Sequence, residues 1–426
     1  MTASIQTEPK VFLKGLFDIG VRRVQAAECL PKYLPANPPK GRTLVLGAGK
    51  AAAAMAAAVS NHYRGDMEGL VVTRYGHGIN TKIPHLDVVE AAHPVPDAVS
   101  RDAARGMLTL AKNLTIDDRL IFLASGGGSS LLSLPAEGFS FSKKQELMKH
   151  LLSSGASISE INCVRKHVSS IKGGRLASAA GMAEVLTYVI SDVPGDNASD
   201  VASGPTITDH TSLKEAWAVI DKYGAPDLKL MKSLLTNPQN ETIQHQPPNW
   251  RSQIIATAND CLGAAAAQAR HQGLAVVNLG PSLEGDAATL GRQHAKLAID
   301  LYAKGEPTLI LSGGETTVTV KNPNGRGGRN MEYALGAALE LAGRPGIFAL
   351  ACDTDGIDGS EESAGAYINP NILDQAASLG LDPVRHLQQN CSFDFFNLLN
   401  SLIVTGPTRT NVNDFRSILI LPKNQA

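Results

Sequence analysis

Long apolar runs are missing from this chain of 426 residues. The longest, Ala51 to Val59, is far short of the roughly 20 residues needed to cross a bilayer, so no helical membrane span is expected. Cysteine is scarce: Cys29, Cys163, Cys261, Cys352 and Cys391 are widely scattered, with no CxxC pair and no Cys/His cluster at zinc-ligand spacing. That excludes a disulfide framework and a structural zinc site, and makes a reducing cytoplasm the expected location. A charge excess is missing too. With 39 Lys and Arg against 40 Asp and Glu, the formal charge is −1, so no global field exists to hold nucleic acid or an anionic membrane. The first ten residues, MTASIQTEPK, lack the features of a secretory leader and read as a loose tail.

What is present suits a packed globule. Hydrophobic residues make up 43% of the chain, and 40 Gly and 23 Pro stay below the level of low-complexity disorder. At about 150 residues per domain the length suggests two or three domains. Short β-branched runs at 43–46, 70–73, 88–91, 120–124 and 185–191 alternate with helical stretches at 51–61, 97–113, 142–156 and 173–180, the pattern of βαβ units and a mainly parallel sheet. The polar, Pro-rich stretch TNPQNETIQHQPPNWR at 236–251 reads as a linker, which places a boundary near 245 between domains 1–245 and 246–426. After it the rhythm resumes, with strands expected at 254–258, 275–279, 308–312 and 418–421 and a long helix at 284–303. The alternating TTVTVK at 316–321 reads as an antiparallel strand, so the second sheet is expected to be mixed.

Six apolar runs end in glycine plus a polar residue, and ligands gather beyond the carboxyl ends of strands in open α/β sheets. LVLGAGKAA breaks at Gly47 and Gly49 into a helix led by Lys50, which suits a phosphate, although the same glycines also suit tight strand–helix packing. In SGGGSSLL the small residues Ser125, Gly126, Gly127, Gly128, Ser129 and Ser130 let a backbone approach an anion; capping alone would also explain the serines. NCVRKHVSSIKGGR carries Asn162, Arg165, Lys166 and Lys172, with Arg165 and Lys172 expected on one helical face and pointing toward an anion or simply toward water. His167 reads as an ordinary surface histidine. SDVPGDNASDVASGPT brings Asp192, Asp196 and Asp200 past a strand, as hydroxyl-activating base, metal ligands or turn formers; Asp192 is nearest the strand. SGGETTVTV supplies Gly313, Gly314, Glu315 and Thr316, and GRGGRN supplies Gly328, Arg329 and Asn330 at a helix start. DTDGIDG clusters Asp353, Asp355 and Asp358 without the remaining ligands of an EF-hand loop. Several anion cradles, a few cations and dispersed carboxylates fit phosphoryl transfer. Walker A and protein-kinase signatures are absent, so the residues alone stop at a nucleotide-using enzyme.

Through these segments, and through HPVPD at 93–97, the chain resembles the class II glycerate 2-kinase (MOFRL) family, whose members also carry the older name hydroxypyruvate reductase. The resemblance implies two α/β domains. The first is a Rossmann-like three-layer sandwich with a mostly parallel sheet and the second has a mixed sheet, with the active site in the interdomain cleft. It also implies transfer of the ATP γ-phosphoryl group to the 2-hydroxyl of D-glycerate with Mg2+ or another divalent cation, by a monomer or homodimer. On that basis Lys50 and Arg329 serve the transferring phosphate. The 125–130 and 313–316 loops bind phosphates, and Arg165 or Lys166 takes the glycerate carboxylate. Asp192 is base or metal ligand, with Glu315, Asp353 and Asp355 as further metal ligands. Arg409 stands where the family pattern leads one to expect glycine. The competing reading is an NAD(P)H-dependent hydroxypyruvate reductase, from GxGxxA with Arg74 ending the next strand.

Overall fold

The computed structural model describes Ile5 and residues 7–422. Contacts divide the chain into two units, one of Ala26–Ile255 and one that joins the residues up to Gln25 to those from Ala256 onward.

The first unit holds a six-stranded sheet of β1 (Thr43–Ala48), β2 (Met67–Arg74), β3 (Leu86–Ala91), β4 (Arg119–Ala124), β5 (Glu184–Ile190) and β6 (Trp250–Ala256). The order is β3-β2-β1-β4-β5-β6, and the pairings from β3 across to β5 are parallel. This is the doubly wound arrangement in which connections leave β1 in opposite directions, opening a crevice at the carboxyl ends of β1 and β4. Both strands are buried along their whole length, which explains why they read as unbroken apolar runs. A separate helical cluster, built from Phe141–Ser153, Ile158–His167, Leu213–Tyr223 and Leu228–Leu235, has its own core around Leu147, Val164, Ile220 and Leu234.

The second unit holds β7 (Ala275–Asn278), β8 (Thr308–Ser312), β9 (Ile347–Asp353), β10 (Gly365–Ile368), β11 (Leu402–Ile403) and β12 (Asp414–Ile420), in the order β11-β10-β9-β12-β8-β7. Among the described residues β7–β8 is parallel and the other pairings are antiparallel, so this sheet is mixed as expected. The helices Ala287–Tyr302 and Arg329–Leu341 cross at Gly291 and Gly336, where a Cβ on either glycine would press into the other helix's backbone.

Three expectations need correction. The stretch around 254–258 forms β6 beside β5 in the first sheet, so the boundary at 245 falls about ten residues before the division of contacts. The polar, Pro-rich run there is an excursion within the first unit. Within the expected tail, residues 1–4 and 6 lie outside the described residues, but Pro9–Val24 is a helix belonging to the second unit. Its stripe of Leu13, Leu16, Phe17, Val21 and Val24 is buried, and Phe17 meets Phe415 edge-on at 5.6 Å. TTVTVK makes no strand: Thr317 exchanges backbone bonds with Gly285 and Ala287 in an isolated bridge, and Val320 stays 66% exposed. Alternation without a buried face to receive it does not form a sheet.

Glycines at two helix positions should respond oppositely to alanine. Gly336→Ala, which drives a Cβ into the Ala288 backbone, should lower unfolding stability by about 1–3 kcal/mol. Gly263→Ala, with open space around it in the helix Ala258–His271, should raise stability by about 0.5–1 kcal/mol. Urea midpoints of the two variants check this; a stabilised Gly336→Ala would show that the helices do not pack so closely.

Candidate active site

In the first unit the chain leaving β1 turns at Gly49 (φ +137°) and is bonded to the chain leaving β4. Ser125 N donates to Ala48 O at 3.2 Å, Lys50 N to Gly126 O at 2.8 Å, and Ala51 N to Ser125 Oγ at 3.0 Å. Ser125 is fully buried, so its hydroxyl organises the crevice floor and does not face a ligand. Gly47 likewise packs on Leu123 and Val71 in the sheet. Gly127 (φ +79°) starts the short helix Gly128–Leu131, and a Cβ there would stand 2.9 Å from the His93 ring and 3.5 Å from Lys50 Cγ. The half-buried Lys50, Gly127 and His93 therefore share one corner of the crevice. Gly128 packs on Ala202, Ser130 Oγ donates to Gly127 O, and Ser129 Oγ lies 2.7 Å from Ser203 Oγ. That serine pair joins the glycine loop to the turn after β5, where Ala202 and Ser203 both have positive φ, a costly backbone conformation for residues with a Cβ.

The basic segment differs from expectation. Its helix ends at His167, so Arg165 and Lys172 do not share a helical face. Lys166 is buried and committed to Asp200 (3.2 Å) and Asp209 (3.0 Å). Arg165 donates to the buried Asn162 Oδ1 at 2.6 Å, and Lys172, fully buried, donates to Ala202 O at 2.9 Å. Burial, together with the charges of Lys144, Arg165 and Lys166, pushes the Lys172 ammonium well below its ordinary pKa. His167 is no surface residue; it is buried between Cys163 O and Glu241 Oε1. Asp192 sits half-buried just past β5, and Asp196 lies in the loop beyond it.

In the second unit Arg329 is gripped by three carboxylates. Its Nε donates to Asp414 at 2.7 Å, NH2 to Asp353 at 2.8 Å and NH1 to Glu315 at 3.1 Å. Burial opposes its charge, but these acids hold the guanidinium well above its ordinary pKa. Asp414 is shared with the buried Arg416, which also donates to Gly313 O and Thr316 Oγ1. Alternation along β12 puts both residues on one face. Burial opposes ionisation of Asp414 too, yet Arg329 and Arg416 hold its pKa below the usual carboxylate range.

Two expected anion sites in this unit are already filled by the protein. At the start of the helix Arg329–Leu341, Asn330 N and Met331 N donate to the Asp358 carboxylate at 3.0 and 2.8 Å. Burial pushes that carboxyl up to about 6 despite the two backbone donors. Asn330 is fully buried, with its amide on Asp414, and Gly328 packs on Asp358. Gly314 (φ +108°) lies against the Leu283 backbone, so the 313–316 glycines serve strand contact.

Within the second unit the metal candidates are tied into the protein's own hydrogen bonds. Glu315 and Asp353 are linked through Arg329, Asp353 Oδ1 accepts from Asp355 N, and Asp355 Oδ1 accepts from Ile357 N. Asp192 belongs to the other unit. No group of three or more His, Cys, Asp or Glu among the described residues could hold a metal ion. Arg409 adopts φ +59°, the left-handed turn that explains why glycine suits its position. The reading missed His93, Ser203, Asp209, Asp414 and Arg416. His93 lies in HPVPD and Ser203 in SDVPGDNASDVASGPT, whereas nothing marks Arg416 in its apolar strand.

A doubly wound sheet with a lysine and glycine loops at its switch point defines a nucleotide-handling α/β class. The comparisons narrow it. The model of a domain of unknown function, DUF4147, matches residues 12–236, and that of the MOFRL family matches 308–414. A protein of Agrobacterium vitis bearing the name "Putative hydroxypyruvate reductase" is 44% identical over 96% of this chain and 94% of its own length. The D-glycerate 2-kinase of Thermotoga maritima is 38% identical over 88% of this chain and 89% of its own length. A crystal structure of glycerate kinase from T. maritima matches with a TM-score of 0.88 and 36% identity, covering 97% of this chain and all of that one. The chain belongs to the MOFRL family and has the class II glycerate kinase architecture.

Asp414→Asn should lower stability by about 3–5 kcal/mol, because two guanidinium groups lose their shared counter-charge. The depressed carboxylate contributes stability above its unfolded pKa and loses it as pH falls through the lower folded value. The variant should therefore show a flatter acid limb in a stability–pH profile. An unchanged profile would mean that this ion pair carries little of the fold.

Proposed function

We propose that this chain is an ATP-dependent glycerate 2-kinase that moves the γ-phosphoryl group of ATP to the 2-hydroxyl of D-glycerate, giving 2-phosphoglycerate. The observation that carries the reading is Lys50 at the switch-point crevice, beside the positive-φ Gly127 of the glycine loop. An ammonium there suits charge that spreads over phosphoryl oxygens during transfer. The hydroxyl oxygen bonds to the γ-phosphorus, the bond to the β-bridging oxygen breaks, ADP leaves, and the hydroxyl proton passes to a base, a role we assign to Asp192. We assign Arg329 to the phosphoryl group on the strength of the resemblance; its guanidinium is tied to Asp353, Asp414 and Glu315, so this role requires the phosphoryl group to displace one of those carboxylates.

Of the two candidates for the glycerate carboxylate, Arg165 fits better, since Lys166 already carries two aspartates. Mg2+ neutralises nucleotide phosphates in reactions of this class. The acidic candidates supply no three-ligand set, so no step is assigned to a metal. A cytoplasmic location accords with five free cysteines and, among the described residues, no helix long and apolar enough to cross a membrane.

The reductase reading retains one specific support: β2, which neighbours the glycine turn after β1, ends at Arg74, where a 2′-phosphate could bind. A coupled assay separates the two. ATP-dependent phosphorylation of D-glycerate, with little of L-glycerate or hydroxypyruvate, supports the kinase; NADPH oxidation by hydroxypyruvate without any phosphorylation overturns it. Lys50→Ala should reduce turnover by about a hundredfold or more with the fold intact. Near-normal turnover would remove Lys50 from the mechanism.

A further inference from the structure

The helix Phe141–Ser153 buries three residues, Lys144, Leu147 and Leu151, which recur at the spacing of a core-facing stripe. A lysine on such a stripe is almost never buried without a partner. Lys144 is 3% exposed and its Nζ has no hydrogen-bond partner among the described residues. Its surroundings add positive charge. Burial, then the Arg165 charge, pushes Lys144 down to about 7. Burial pushes Arg165 down to about 10, and Lys172 is repelled by Lys144, Arg165 and Lys166. The nearby acids Asp200 and Asp209 both serve Lys166, leaving Lys144, Arg165 and Lys172 with no carboxylate partner among the described residues. Lys172 also bonds to Ala202 O, in the strained turn whose next residue, Ser203, meets Ser129 of the glycine loop.

Two buried lysines and a half-buried arginine without a counter-charge among the described residues are unfavourable in their ionised forms unless an anion joins them. We propose that Lys144, Arg165 and Lys172 form an anion pocket beneath the Ser129–Ser203 turn that takes the carboxylate of the hydroxy-acid substrate, with Lys144 as the residue that discriminates for it. The inference rests on the glycerate kinase reading and extends it to a residue with no sequence motif around it. A carboxylate accepts from several donors at once, so it relieves the repulsion among the three and supplies the partner that Lys144 Nζ lacks. Because Lys172 holds the Ala202 carbonyl, occupation of the pocket would also steady the turn that carries Ser203.

Lys144→Met tests this, because Met matches the helix stripe and deletes only the charge. Loss of one charge-assisted contact should raise KM for D-glycerate about ten- to hundredfold while leaving KM for ATP within about threefold. In thermal-shift titrations without nucleotide, D-glycerate should stabilise the native protein and glycerol, which lacks the carboxylate, should not; Lys144→Met should lose the D-glycerate shift. Inorganic phosphate serves as the competing probe. A raised KM for ATP, or a Lys144-dependent shift with phosphate and none with D-glycerate, would give the pocket to a phosphate and overturn the proposal.

An unchanged KM for D-glycerate would show a purely structural lysine and overturn it as well, while the kinase reading stood. A wild-type protein without kinase turnover but with the Lys144-dependent D-glycerate shift would sink the kinase reading and keep the pocket. If Lys144→Met does not fold, Lys144→Gln, uncharged but still a donor, gives the same readings.

Discussion

The site in the first unit depends on how closely the chain leaving β1 approaches the chain leaving β4. A side chain at Gly49 would occupy the space of Ser125, and only its absence lets Lys50 N reach Gly126 O and Ala51 N reach Ser125 Oγ. These bonds use the backbone donors and the hydroxyl that the residue pattern offered to a ligand. The Lys50 side chain, the Gly127 turn and His93 stand together beside these bonds at one corner of the crevice. Backbone polar groups in a buried turn must be satisfied by something, and here the N–H groups of Lys50, Ala51 and Ser125 are satisfied within the two turns themselves.

Charge is handled in two contrasting ways. In the second unit Arg329 is surrounded by Asp353, Asp414 and Glu315 and is thereby kept ionised and fixed. Its single positive charge is outweighed by those acids, so the cluster presents no net positive charge to an anion unless one of them is displaced. In the first unit the buried Lys144 and Lys172 and the half-buried Arg165 have no acid of their own among the described residues, and desolvation weakens rather than reinforces their charge. The first arrangement is complete without a ligand. The second is electrostatically incomplete, and that incompleteness is what points to an anion.

Much of the fold could be read from the chain because strands buried along their length leave unbroken apolar runs: β1, β4, β5 and β8 lie within two residues of their expected positions. Polar surface strands and boundaries were less legible. TTVTVK has the right alternation but no face to bury, and the N-terminal helix reveals its partner only through packing on Cys261 and Phe415. Among site residues, Lys50 and Arg329 stood out as cations beside glycines. Lys144 looked like one more lysine in SKKQELMKH, because its burial comes from neighbouring helices and not from its own segment.

The sequence by itself determined the α/β class and the family, since these follow from local periodicity and from ordered motifs along the chain; the second sheet is mixed through β9 to β12 and not through TTVTVK, the segment whose alternation suggested it. Only the tertiary structure decided which polar groups still face a ligand. Asp358 had already claimed the helix start at Asn330, Asp200 and Asp209 had claimed Lys166, and Ser125 had turned inward. Each of those partners is distant in sequence or set by packing, and hydrogen-bond capacity is used up in three dimensions, where no spacing of letters records it.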